Sequence, residues 1–345
     1  MSFNSIASKS TSSSIQLFDN PTLEEGVVTK KNRENFEVRA GEQTFTCVLS
    51  PRLLKEFSYA KSGGKARDVR AADTSPIAVG DRVRFETNND GAAGNIIEIL
   101  PRQNQLSRQS AVPMPGALPF EQVIAANLSL VVPVFAAASP TPKWNMLDRY
   151  LVTAEALELP ALICITKIDL VKDEDGRLDE EIREQLEDYR RIGYRVIMVS
   201  AVTGEGLDEL REALQGNTSV LLGKSGVGKT SLLNALQPGL GLRVNAISRA
   251  TGKGKHTTTH LEMFPIGPDS AIVDTPGVRE FGLWEIEADD LAVYFPEMRP
   301  YLGRCKFGLD CRHDEEPGCA VRKAVMQGLI SPRRYQSYMR LQEDL

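Results

Sequence analysis

No apolar run in the chain approaches the length of a bilayer span, so no membrane role is expected. The first 14 residues carry seven serines and lack the apolar core of a secretory signal. Residues 1–22 are expected to be a solvated, disordered tail. A large excess of one charge is also missing. The formal net charge of −5 argues against a protein that coats nucleic acid over its whole surface. Cysteine is scarce: five in 345 residues, an odd count. Cys47 and Cys164 lie in apolar, strand-like stretches and read as buried thiols. Cys305, Cys311 and Cys319 fall within 15 residues, with His313 among them. A reducing cytoplasm and a metal site are therefore expected rather than disulfides.

What is present suits a soluble globular protein of two or three domains: 41% hydrophobic and 25% charged residues. Charge is uneven. Residues 173–188 are mostly acidic, while 249–256 and 322–340 are basic. The basic runs can face RNA or be ordinary solvated surface.

Residues 25–100 are β-rich. GVVTKK, NFEVRA, QTFTCVLS, DRVRFET and NIIEIL are strand candidates, separated by Ala40-Gly41, Gly80-Asp81 and Asn89-Asp90-Gly91. Five short strands predict a small barrel over residues 23–102, with an OB-fold first and an SH3-like barrel second. Residues 55–75 interrupt the strands as a basic, glycine-containing loop, either RNA-facing or a flexible insertion. Residues 103–120, rich in Pro and Gln, read as a linker. Strands and helices then alternate over residues 121–285, which predicts a mostly parallel sheet with helices on both faces. Residues 286–345 form a third, C-terminal unit.

Within the alternating region, residues 220–222 suit a buried strand. Gly223-Lys-Ser-Gly-Val-Gly-Lys-Thr230 follows, then apolar residues at helical spacing. Strand, glycine loop and helix are the context that the Gly-x4-Gly-Lys-Thr phosphate loop requires. Gly223, Gly226 and Gly228 allow a tight turn whose N–H groups converge on phosphate oxygens at a helix N-terminus. The nucleotide is expected against Gly223, Lys224, Ser225, Gly226, Val227, Gly228, Lys229, Thr230 and Ser231. Lys229 should reach the β- and γ-phosphates, and Thr230 should ligate Mg²⁺. The loop specifies a nucleoside triphosphate but not its base.

Thr166, Lys167, Ile168 and Asp169 follow one strand candidate, and Ser200 and Ala201 follow another. A carboxylate at Asp169 can accept two hydrogen bonds from guanine, which adenine does not offer. Asp274-Thr275-Pro276-Gly277 follows a third strand. Asp274 is placed to hold Mg²⁺, and the Gly277 N–H to bind the γ-phosphate. Between the phosphate loop and this motif lies a polar stretch with His256, Thr258 and Thr259, where a threonine can complete the Mg²⁺ shell and act as a nucleotide switch. A flexible polar loop is the alternative.

All five GTPase motifs are thus present in rotated order: TKID and SA precede GKSGVGKT, HTTT and DTPG. With β-rich sequence in front and a Cys-His cluster behind, the chain resembles the circularly permuted GTPases of small-ribosomal-subunit biogenesis, the RsgA or YjeQ family. The resemblance runs from about residue 25 to the C-terminus. It implies an OB barrel, a permuted GTPase domain, a zinc domain and binding of GTP and GDP. It also implies docking on the 30S subunit and its 16S-type rRNA, turnover stimulated by that subunit, and a cytoplasmic location; a monomer is expected. The family's base motif usually begins with Asn, where this chain has Thr166. Val278 follows the DTPG motif, where Ras-like enzymes place a water-orienting Gln. By resemblance His256 replaces it, which makes His256, Lys229, Thr230 and Asp274 the catalytic set. The alternative for His256 is mere contact with phosphate or RNA.

Cys305-x5-Cys311-x-His313-x5-Cys319 is the Cys₃His set of a closed, tetrahedral structural zinc site. Two amphipathic helices are expected at 320–329 and 332–343, carrying Arg322, Lys323, Arg333, Arg334 and Arg340 for rRNA phosphates or for ordinary packing. Two rivals stand beside a GTPase. One is an ATPase or kinase on the same loop. The other is an RNA-binding module with nucleotide as a structural ligand.

Overall fold

The computed structural model describes residues 22–32, 34–60, 76–87, 93–109, 121–242, 261–275 and 286–345. The N-terminal unit comprises β1 (Leu23–Lys31), β2 (Phe36–Ala40), β3 (Gln43–Leu49), α1 (Pro51–Ala60), β4 (Arg82–Thr87) and β5 (Ala93–Ile99). β1 pairs with both β2 and β4, so the order β1-β2-β3-β5-β4 closes on itself. Alternate residues point inward. Val28, Val38, Phe45, Cys47, Val83, Phe85 and Ile96 fill the barrel. β3 and β5 run parallel, and a helix joins β3 to β4. These two features decide for the OB arrangement over the SH3-like one.

The helix corrects the loop expected to begin at residue 55. Residues 51–60 are helical, and Leu53 and Phe57 pack on the barrel core. The Ser-Gly-Gly that follows masked a short amphipathic pattern. Residues 61–75 lie outside the described residues.

Part of the expected linker is also ordered. β6 (Gln105–Gln109) pairs antiparallel with β7 (Glu121–Ala126), and Leu106 is buried. Arg102 anchors this ribbon to the barrel. It forms a bidentate pair with the buried Asp81 at 2.7 and 2.8 Å and donates to the Pro76 carbonyl at 2.7 Å.

The central sheet follows with β8 (Leu130–Ala136), α2 (Trp144–Ala156), β9 (Leu162–Thr166), α3 (Glu180–Ile192), β10 (Arg195–Met198), α4 (Leu207–Leu214), β11 (Thr218–Leu222), α5 (Lys229–Leu236), β12 (Glu262–Gly267) and β13 (Ser270–Asp274). Its order is β10-β9-β8-β11-β13-β12, parallel except for β12. The strands read as continuous apolar runs because both faces are covered. Val131, Phe135, Ile163 and Ile165 pack with Tyr150 of α2 and Leu186 of α3. Val132, Val134, Leu162 and Cys164 pack with Leu210 of α4 and Leu233 of α5. From β8 the chain runs outward to β10, returns to β11 beside β8, and then runs the other way. The reversal puts a crevice at the carboxyl ends of β8 and β11, where ligands gather in such sheets. β12, interrupted by Pro265, carries no clear strand signal; it pairs with β13 and meets β1 at Glu262 opposite Lys30.

The C-terminal unit contains α6 (Ala320–Met326), α7 (Pro332–Glu343) and several single 3₁₀ turns. Its core of Leu291, Phe295, Met298, Val321, Tyr338 and Leu341 includes Val152 from α2. Arg334 is fully buried, bonded to Asp148 of α2 and to Glu297, each at 2.7 Å. Tyr189 of α3 donates to the same Asp148 at 2.7 Å, and Arg333 donates to the Tyr189 hydroxyl at 3.0 Å. Of the basic residues offered above for phosphate contact, Arg333 and Arg334 are therefore packing residues. A buried guanidinium needs carboxylates around it, and the fold supplies them.

Candidate functional site

The glycine loop sits where the chain reverses. It leaves β11 at Gly223, and a Cβ there would meet the Val134 carbonyl oxygen at 2.5 Å. Only glycine lets the loop pass that close to β8. Gly226 and Gly228 have φ of 86° and 101°, and Gly228 opens α5. The first-turn N–H groups of α5 therefore face the crevice. Lys229 is buried and donates to the Gly223 carbonyl at 2.6 Å. Burial lowers its pKa below the usual lysine range, while Asp274 works the other way. Thr230 and Ser231 follow in the first turn of α5.

Asp274 ends β13, buried, in register with Leu221 of β11. The next hydroxyl, Thr275 Oγ1, donates to the Leu221 carbonyl at 2.8 Å and ties the end of β13 to the strand before the loop. Thr275 was not singled out from the sequence, although it stands beside Asp274 in the same motif. Gly277, His256, Thr258 and Thr259 lie outside the described residues.

The two base motifs reach the same crevice from β9 and β10. Thr166 Oγ1 bonds to the Val227 carbonyl inside the glycine loop and lies 3.2 Å from the Phe135 carbonyl of β8. A hydroxyl has one proton, so it serves one carbonyl at a time. Thr166 thus ties β9 to the phosphate loop. Lys167, left-handed at φ 59°, donates to the Gly226 carbonyl at 2.7 Å and to the Ser139 carbonyl. Burial lowers its pKa as well, opposed by Asp169. Ile168 is buried and anchors the motif in the core. Ser200 Oγ donates to Asp169 Oδ1 at 2.6 Å and accepts the Val202 and Thr203 N–H groups at 3.3 and 3.2 Å. That bond fixes the Asp169 carboxylate beside Ala201. A second tie went unread in the sequence: Lys172 bonds both Glu205 oxygens, at 2.5 and 2.7 Å, across the two motif loops. The arrangement places one carboxylate, held by a serine hydroxyl, at the carboxyl ends of β9 and β10 beside the glycine loop.

A second cluster lies in the C-terminal unit. Cys305, Cys311, His313 and Cys319 are all buried, and their ligand atoms lie within 4.8 Å of one another. His313 Nδ1 is 3.5 Å from the Cys305 and Cys319 sulfurs, which are 3.9 Å apart. Tetrahedral coordination at ~2.3 Å to sulfur and ~2.1 Å to nitrogen requires edges of roughly 3.8 and 3.6 Å. The quartet therefore fits one metal ion. Backbone N–H groups of Ala320 and Arg322 donate to the Cys305 and Cys319 sulfurs at 3.2 and 3.4 Å. Four protein ligands leave no open position for catalysis.

The model of a family described as RsgA GTPase matches residues 99–284. A small ribosomal subunit biogenesis GTPase RsgA from Gemmatimonas aurantiaca is 47% identical over 292 residues, 84% of this chain and 91% of that protein. The protein of the same name from Haemophilus influenzae is 40% identical over 274 residues, 79% of this chain and 76% of its own length. Among solved structures, YjeQ from Thermotoga maritima is similar at a TM-score of 0.70 and 31% identity, covering 94% of this chain and 99% of that one. YloQ, described as a circularly permuted GTPase, is similar at a TM-score of 0.64 and 29% identity, covering 95% and 97%. The TKID, SA and glycine-loop motifs and Asp274 at the carboxyl ends of the sheet strands, the closed barrel before them and the Cys₃His quartet after them agree with these likenesses: the chain belongs to the RsgA GTPase family.

Proposed function

We propose that this protein hydrolyses GTP while docked on the small (30S) ribosomal subunit, acts in late maturation of that subunit, and uses hydrolysis to time its release. The observation that carries the proposal is the convergence of the Gly223–Thr230 loop, Asp169–Ser200 and Asp274 on one crevice of the central sheet. In the bound state Asp169 accepts from guanine, the Lys167 stem lies against the base, and Ala201 N–H reaches its carbonyl oxygen. The amides from Gly223 to Ser231 cradle the phosphates, and Lys229 exchanges the Gly223 carbonyl for β- and γ-phosphate oxygens. Thr230, Asp274, Thr258 and Thr259 offer the oxygen donors that suit Mg²⁺, which supplies charge neutralisation when bound. Gly277 N–H completes the γ-phosphate contacts, and His256 orients the attacking water. The Cys₃His quartet holds zinc as a structural ion. The working units are the barrel at 23–102, the GTPase at 121–285 with β6 of the preceding segment paired to it, and the zinc domain at 286–345. The protein acts as a cytoplasmic monomer, and barrel and zinc domain meet 16S-type rRNA.

The test is steady-state GTP hydrolysis with and without purified 30S subunits. Strong stimulation is expected for wild type and none for Lys229→Ala. Flat, slow hydrolysis would make the protein an RNA-binding module with nucleotide as a structural ligand. ATP competing equally with labelled GTP would refute the assigned base contacts. His256→Ala should keep GTP affinity and lose stimulated turnover; unchanged turnover would remove His256 from the catalytic set.

A further inference from the structure

One ligand of the Cys₃His quartet is held from both sides by a residue outside the quartet. The Glu316 carboxylate accepts the Arg312 N–H on one oxygen at 2.8 Å and the Asp314 N–H on the other at 2.9 Å. Those are the N–H groups of the residues before and after His313. The Tyr335 hydroxyl donates to the His313 carbonyl at 2.6 Å, and the Tyr338 hydroxyl to the Arg312 carbonyl at 2.9 Å. Between these clamps His313 sits at φ 61°, a left-handed conformation that disfavours a residue with a Cβ.

The strain has a geometric purpose. Cys311 and His313 are separated by one residue, yet Sγ of one and Nδ1 of the other must converge on a single ion. The chain has to turn sharply at His313, and an unsupported loop would leave that turn to be formed at binding. We propose that Glu316 is a positioning residue for the metal, seconded by Tyr335, which holds His313 in its turned conformation before the ion arrives. This rests on the quartet being a metal centre. Removing such a support weakens metal binding by roughly 10- to 100-fold.

Glu316→Gln separates positioning from bulk. The amide keeps the size but has one acceptor oxygen, so one backbone N–H would face an N–H₂ donor. Glu316→Asp keeps the charge and shortens the reach. The full-length chain is titrated with Co²⁺, read by its d–d and thiolate-to-metal absorption, against a chromophoric chelator. Circular dichroism checks the fold of each variant. Wild type is expected to bind one equivalent with a tetrahedral spectrum. Glu316→Gln and Glu316→Asp should bind about 10- to 100-fold more weakly and yield the ion faster to the chelator. Tyr335→Phe should move the same way by less, and it keeps the test valid if a Glu316 variant misfolds. Affinity and release within twofold of wild type in Glu316→Gln and Tyr335→Phe would overturn the inference. So would wild-type affinity in Glu316→Asp with loss in Glu316→Gln, since charge alone would then act. Failure of wild type to bind Co²⁺ would remove the metal centre itself, and this inference with it.

Discussion

The barrel and the C-terminal unit are both small, and they obtain a core in opposite ways. The barrel closes its sheet, so every strand edge is paired, and its core comes from its own strands, α1 and Ile77 in the loop before β4. The C-terminal unit has one helix of 7 residues and one of 12, too little to enclose a core. It takes Val152 from α2 and three buried cysteines into that core. It also sinks Arg334 between Asp148 of the central region and its own Glu297. The barrel reaches the central region through Arg102, through Val79, which is buried in the central core, and through a partly exposed ion pair at the sheet edge. One unit is self-contained at its core; the other borrows. Damage to the barrel joints should therefore stay local, while damage to the buried ion cluster should reach the nucleotide site through α2 and α3.

Arg334→Ala tests this most severely. It removes the buried guanidinium from between Glu297 and Asp148, leaving Asp148 with Tyr189 and Arg333, for a loss of about 3–5 kcal/mol. Calorimetry should show the C-terminal unit and the central region destabilised together, with the barrel transition unmoved. Arg334→Met should be milder than Arg334→Ala because the stem packing is kept. Separate transitions, with the central region unaffected, would mean that the shared core is not cooperative.

Arg102→Ala is the matching cut on the barrel side. It removes a bidentate partner from the fully buried Asp81, which keeps the Ala78 N–H at 2.7 Å. A loss of about 1.5–3 kcal/mol follows. GTP affinity should stay within twofold, measured by fluorescent-nucleotide titration. A tenfold fall in affinity would show that the barrel joint communicates with the crevice as strongly as the buried cluster does.

The same contrast marks what could be read in advance. The five barrel strands were legible because inward and outward residues alternate within each segment, and the phosphate loop because Gly223, Gly226, Gly228, Lys229 and Thr230 are neighbours in sequence. The base motifs were legible for the same reason. Arg334 was not, because Asp148 lies 186 residues away and Glu297 lies 37 away. In sequence it is one basic residue among several on a polar helix. Thr166 could be seen as a departure from the usual Asn, but its bond to the Val227 carbonyl spans 61 residues and needs the fold. The short β6 and β12 were missed because each depends on its partner strand for its pattern. Glu316 carries no signal of its own in the sequence; its place is set by two backbone donors that only the fold brings to it.

The smallest effect is expected where the barrel touches the sheet edge. Lys30 and Glu262 face each other across β1 and β12, with Nζ and Oε2 3.1 Å apart and each side chain about one-quarter exposed, at 26% and 27%. Both charges keep much of their hydration, and salt screens the pair, so its contribution should be about 0–1 kcal/mol. A double-mutant cycle of Lys30→Ala and Glu262→Ala, at low and high ionic strength, measures the coupling directly. A value that is small at low salt and vanishes at high salt leaves the barrel a neighbour of the sheet. A coupling above about 2 kcal/mol that survives salt would make this edge an anchor comparable to the Arg102 joint. The barrel would then no longer be the autonomous half of the comparison.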